Sequence, residues 1–129
     1  VELSEQIVSL KLSKPLKELG VKQESLFYWV NGELISNENF QNMDLLERIL
    51  FSQEVHEYYS AFTVSELGGM LPDWTETVKR MKDDWVCIIR HKHNDINDYS
   101  FGETEANARA KMLIYLLENK LMELPNEQT

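Results

Sequence analysis

The dipeptide Asn31-Gly32, set between an apolar run at 26–30 and a shorter run at 33–36, constrains this chain more than any other feature. Both central positions of a two-residue type I′ turn need positive φ, which Asn and Gly tolerate and bulkier residues resist. The flanking residues Leu26, Phe27, Tyr28, Trp29 and Val30 are aromatic, aliphatic or β-branched, as strands prefer. A β-hairpin is expected. Pairing across the turn places Leu26, Tyr28, Val30 and Ile35 on one face, and Phe27, Trp29 and Leu34 on the other. Both faces are apolar, so each requires a cover.

Helices supply it. Ser13 is placed to cap a short helix over 14–19, with Pro15 in its first turn and Gly20 where a left-handed C-terminal residue is wanted. Asp44-Leu45-Leu46-Glu47 reads as a capping box opening a second helix that buries Ile49 and Leu50. Thr63-Val64-Ser65-Glu66 reads as another, with Phe62 stapled onto Leu67 and Pro72 ending the element. Gly68 and Gly69 in its last turn fit either close packing or a fraying end. Residues 73–84 are polar without a clean period and read as a loop. A strand is expected over 85–91, with Trp85, Cys87, Ile89 and His91 on one side and Val86, Ile88 and Arg90 on the other. Residues 92–98 read as a polar turn. From about Thr104 to Leu124 the residues Ala106, Ala110, Leu113, Leu117, Leu121 and Leu124 recur every three or four positions along one helical stripe. Glu103 and Glu105 suit its start, Lys120 its last turn, Pro125 stops it, and the tail beyond about 124 frays. The order predicts an α+β fold: a small antiparallel sheet that includes the N-terminal hairpin, flanked by helices and closed by a long C-terminal helix.

A chain of 129 residues is the size of one domain and can bury a core without metal or disulfide staples, so 1–129 is read as a single unit. Cys87 is the only cysteine, which excludes an internal disulfide and points to a reducing, cytoplasmic setting. No apolar run is long enough to cross a bilayer, and charges interrupt the first 19 residues where a signal peptide would be continuous. The chain starts at Val1 instead of Met, as expected of a sequence beginning inside or after a processed one. The net charge of −9 is uneven: between Glu33 and Glu66 seven acids face one base, Arg48, whereas residues 1–32 balance to zero. Phosphate binding needs clustered Lys or Arg, so direct contact with nucleic acid is not expected. Glu38, Glu47, Glu54 and Glu57 instead form a candidate acidic surface.

Few constellations invite chemistry. His91-Lys92-His93-Asn94-Asp95 matches the opening of the HxHxD pattern with which metallo-hydrolases collect ligands at a strand end. Ile96 stands where that pattern continues with His, and His56 is the only other histidine, so a polar turn without metal is the preferred reading. Cys87 lies mid-strand among apolar neighbours and reads as a buried thiol. Contact with His91, four residues on, would have to span about 13 Å of strand. Phe27-Tyr28-Trp29 reads as sheet packing, because base-stacking rings come with basic grooves and only Lys22 is near in sequence. Gly68-Gly69 lacks the spacing of a phosphate-cradling loop. No pair of carboxylates is set apart in an apolar setting. The expectation is a protein with no catalytic set, no cofactor and no metal.

The C-terminal helix carries a second apolar stripe, Ala108, Met112, Tyr115 and Met122, almost opposite the first. One stripe suffices to cover a core. The second therefore predicts either burial under the chain's own N-terminal segment, residues 3–12, or an interface that closes a symmetric homodimer.

Three segments taken together, residues 16–29 (beginning Leu16-Lys17-Glu18-Leu19-Gly20), 58–68 (Tyr58-Tyr59-Ser60-Ala61-Phe62-Thr63) and 103–119 (Glu103-Thr104-Glu105-Ala106-Asn107), resemble a group of small phage and prophage proteins of bacteria. The layout is similar to small phage domains built as a helix-sheet-helix sandwich. The resemblance implies no activity and no catalytic residue. It favours a non-enzymatic accessory protein of a phage or mobile element that acts on an unidentified protein partner. The alternative is an acidic inhibitor that occupies a basic, nucleic-acid-binding groove of another protein. A hydrolase using His91 and His93 is the remote third.

Overall fold

The computed structural model describes residues 3–41, 58–90 and 96–124. After a 3₁₀ turn, Leu3–Glu5, come helix α1 (Leu10–Glu18), strands β1 (Phe27–Val30) and β2 (Glu33–Ser36), short helix α2 (Asn37–Gln41) and strand β3 (Tyr58–Ser60). They are followed by α3 (Val64–Met70), β4 (Thr75–Met81), β5 (Asp84–Arg90), β6 (Ile96–Gly102) and the long helix α4 (Glu105–Glu118). The class is α+β, with two three-stranded antiparallel sheets among the described residues, β2-β1-β3 and β4-β5-β6, in place of the single sheet expected.

The first sheet contains the expected hairpin in the expected register, with Tyr28 opposite Ile35 and Trp29 opposite Leu34. Asn31 at φ 51° and Gly32 at φ 85° make its turn. Tyr28 and Val30 are buried, and the Tyr28 ring stacks on Phe40 of α2 at 4.3 Å. On the other face the Trp29 indole donates to the Val8 carbonyl at 3.0 Å. Strand β3 adds to the free side of β1.

Helix α1 starts earlier than its sequence suggests. Ser9, not Ser13, is the N-cap, its hydroxyl accepting from Leu12 N, and Pro15 lies inside the helix. Proline there removes one i→i−4 bond. Burial of Leu16 and a well-formed end at Gly20 hold the helix nonetheless: Gly20 N donates to Lys17 O, and Val21 N to Leu16 O, the paired bonds of a Schellman motif. Helix α3 has the capping box read from the sequence, with Thr63 Oγ1 accepting from Glu66 N at 3.1 Å and Glu66 Oε1 from Thr63 N at 2.9 Å. The same carboxylate takes the Ser25 hydroxyl and Leu26 N, which ties α3 to the hairpin entry.

Residues 73–84 are not a loop. Thr75–Met81 is an edge strand, paired with β5 and closed by a tight turn at Lys82-Asp83 in which Asp83 has φ 57°. Of the polar turn expected over 92–98, the residues from Ile96 onward belong to β6, and 92–95 lie outside the described residues. Helix α4 is capped by Thr104, whose Oγ1 accepts from Asn107 N at 3.1 Å. It stops at Glu118, six residues short of expectation, because Lys120 turns left-handed at φ 55° and a second Schellman pair forms, Lys120 N to Leu117 O and Leu121 N to Leu116 O. Leu121 is therefore exposed, whereas Leu124 folds back and is buried.

One buried cluster draws on α1, α3, β5 and α4 together with Val8, Val21 and Phe62. Helix α4 is buried over a wide arc because it lies on the β4-β5-β6 sheet and also touches α1 and α3. Met112, Leu113 and Leu116 each contribute roughly 2 kcal/mol of apolar burial to this packing. Alanines on the sheet side let the backbones approach: Ser100 Oγ donates to Ala108 O at 2.8 Å. The helix expected after Asp44 lies outside the described residues.

Candidate binding surfaces

Where α3, β4 and α4 meet, Arg109 joins all three. Its Nη1 donates to Val64 O at 2.9 Å, and its Nη2 to Thr77 Oγ1 at 3.1 Å and to Glu105 Oε2 at 3.2 Å. Thr77 completes the triangle by donating its hydroxyl to Glu105. Thr77 is also the cross-strand partner of Cys87, so the cluster stands beside the only thiol. Cys87 is fully buried and its pKa is pushed up to about 11, chiefly by burial, with Arg109 drawing it down and Glu105 adding to the rise. A thiol held protonated is no nucleophile, and it packs as a small apolar side chain.

Glu105 also faces a cleft of about 650 Å³ at the same end of the sheet. One wall is Lys79 of β4 with the β4–β5 turn residues Lys82 and Asp83, the other is the start of α4 with Glu103 and Thr104, and Glu5 and Gln6 close the side. Trp85 lines the cleft, half-buried, and Lys79 Nζ lies 6.0 Å from the centre of its ring. A smaller groove of about 370 Å³ lies between Val21, Phe62, Met70 and Leu124.

The second feature is the face of the β4-β5-β6 sheet turned away from α4. Cross-strand register sets Val78, Val86 and Phe101 in one row, and Glu76, Ile88 and Tyr99 in the next. Val86 and Ile88 are buried by their neighbours, but Val78 is 44%, Phe101 41%, Tyr99 64% and Met81 68% exposed. Tyr99 and Phe101 meet edge-to-face at 5.4 Å, and Arg80 lies over Phe101 at 4.6 Å. Among the described residues, no helix other than α4 packs extensively on this sheet, and α4 occupies the opposite face. Sequence reasoning missed this surface because β4 and β6 were not recognised as strands. The alternation of Tyr99 and Phe101 with Asp98, Ser100 and Gly102 was the available signal.

Of the residues proposed for an interface on α4, Ala108 and Met112 are fully buried by the chain itself, and Met122 packs partly against the core. The N-terminal segment contributes, as Ser9 N donates to Asn107 Oδ1 at 2.9 Å. Ala108 and Met112 therefore offer no surface to a second copy. Tyr115 alone remains well exposed, and its hydroxyl bonds to Asp98 on β6, which pushes its pKa up. Glu38 is exposed on α2, while Glu47, Glu54 and Glu57 lie outside the described residues, as do His91, His93 and Asp95. Among the described residues, no three His, Cys, Asp or Glu side chains converge as metal ligands, and no helix is long and apolar enough to cross a membrane. The chain matches no family model, no curated protein and no solved structure.

Proposed function

We propose that this chain is a non-enzymatic accessory protein of a phage or mobile element that works in the cytoplasm by binding another protein through the outer face of the β4-β5-β6 sheet. The observation that carries the reading is the set of exposed residues Val78, Met81, Tyr99 and Phe101 on this sheet, an apolar surface with aromatic anchors of the kind that dominate protein interfaces. Stacked rings also serve single-stranded nucleic acid, but that use needs a basic groove. Here Arg80 pairs with Asp84 at 2.8 Å and Arg90 with Glu76 at 2.6 Å, so the face carries little net charge. The partner is a protein with a matching apolar surface. Replacing Tyr99 with the photo-cross-linker p-benzoylphenylalanine in living cells tests this, with the same group at exposed Lys11 on α1 as the control. One discrete adduct from position 99 and none from position 11 is the expected result. An adduct at twice the chain mass would make the partner a second copy, and none at position 99 would end the reading.

A second reading, the acidic inhibitor of a basic groove, draws on Glu33 on β2 and Glu38 on α2, both exposed. It requires non-covalent binding of the identified partner to weaken as salt rises, whereas an apolar contact holds.

A further inference from the structure

The cleft lined by Trp85 is a different surface from the outer sheet face, and its chemistry is more specific. Four carboxylates, Glu5, Asp83, Glu103 and Glu105, line it against the ammonium groups of Lys79 and Lys82. The amides at the start of α4 favour an anion by about half a charge, but Glu103 at that same end brings a full negative charge, while Glu105 is already paired with Arg109 at 3.2 Å. Beside Glu103 the balance therefore favours a cation. The indole already receives one: Lys79 Nζ, 6.0 Å from the ring centre, lies at the edge of cation–π range on a solvent-exposed side chain that a better ligand displaces readily. A volume of about 650 Å³ falls within the roughly 300–1,000 Å³ of ligand pockets. A guanidinium fits this setting better than an ammonium, because it lies flat on an aromatic face while its edge forks onto a carboxylate.

From this juxtaposition we infer that the cleft between the β4–β5 turn and the start of α4 receives an arginine side chain from a basic segment of a partner protein. The guanidinium stacks on Trp85 in the place of Lys79, and the carboxylate of Glu103 receives its N–H groups. The net charge of −9 steers such a segment toward the chain. The inference deepens the protein-binding function proposed above and rests on it, while using a separate surface.

The test is a titration of the ¹⁵N-labelled full chain with capped hexa-arginine at low ionic strength, following the indole N–H resonances of Trp29, Trp74 and Trp85, the last assigned by its loss in Trp85→Phe. The Trp85 resonance is expected to shift saturably, and capped hexa-glutamate is expected to leave it in place. Glu103→Gln should weaken binding roughly threefold, and Lys79→Ala, which removes the competing cation, should tighten it roughly threefold. Glu38→Gln, remote on α2, should leave the Trp85 curve unchanged, which separates the cleft from diffuse attraction to an acidic protein. A Trp85 resonance that ignores hexa-arginine, that moves with hexa-glutamate instead, or that responds more weakly in Lys79→Ala would overturn the assignment. Each of those results leaves the cross-link from position 99 standing. A missing cross-link with intact arginine binding would instead remove the outer-face interface alone.

Discussion

Gly102 is expected to be the least replaceable glycine in the chain. It sits in β6 opposite Trp85, under the first turn of α4. A Cβ there would stand 2.9 Å from both Ala108 Cα and the Asn107 carbonyl carbon, and closer still to Ala108 N. These are backbone atoms, so no rotamer change relieves the overlap. They are also fixed: Asn107 N and Ala108 N both bond to Thr104, at 3.1 and 3.0 Å. Gly102→Ala must therefore lift the start of α4 from the sheet, and overpacking of this kind costs about 3 kcal/mol, the upper end of the usual range. Gly68→Ala meets the Arg109 guanidinium, which can move only by giving up its bond to Val64 O, at about 1 kcal/mol. Gly69→Ala meets nothing within 4 Å and should stabilise α3 by roughly 0.5–1 kcal/mol through helix propensity. Urea unfolding of the three variants should rank Gly69→Ala above the unmodified chain, then Gly68→Ala, then Gly102→Ala, with the last midpoint lower by roughly 1–3 M. A Gly102→Ala midpoint equal to that of the unmodified chain would refute the packing of α4 on β6.

Cys87 gives a pH dependence. Its pKa rises on folding from 9.0 to about 11, so the folded chain keeps a proton that the unfolded chain releases between those values. Stability should be full below about pH 9 and fall as pH climbs toward 11, and Cys87→Ala should flatten that decline. Arg109→Met removes the link between α3, β4 and Glu105 and should lower stability by about 2 kcal/mol, whereas Arg109→Lys, unable to reach three acceptors, should recover less than half of the loss in urea melts.

The parts of this fold legible in the sequence are those whose signals are local. Asn31-Gly32 fixed the hairpin register because its turn geometry admits few residues, and Thr63 with Glu66 marked α3 because both halves of the capping box lie only three residues apart. What was missed depends on tertiary context. Strand β4 turns Thr75 and Thr77 inward and Glu76 outward, a polar edge strand that owes its place to β5. Pro15 argued for a helix start where the chain keeps a helix interior, since burial of Leu16 outweighs one lost bond. Leu121 and Leu124 continued the helical period of α4, yet the left-handed Lys120 ends it, at a residue type that announces no such turn. The candidate surfaces were hidden for the same reason: both draw on β4, its turn or β6, and only their β5 residues, Trp85, Val86 and Ile88, were placed on a strand in advance.

Protein binding by the outer sheet face is the proposal on which the function rests. Its most direct test is calorimetric titration of the partner cross-linked from position 99, once purified, against the unmodified chain and against Tyr99→Ala combined with Phe101→Ala. Removing two aromatic anchors should weaken binding by about 2 kcal/mol or more, roughly 30-fold, while the circular dichroism of the variant matches that of the unmodified chain. Equal affinity for both, with the variant folded, would contradict the account.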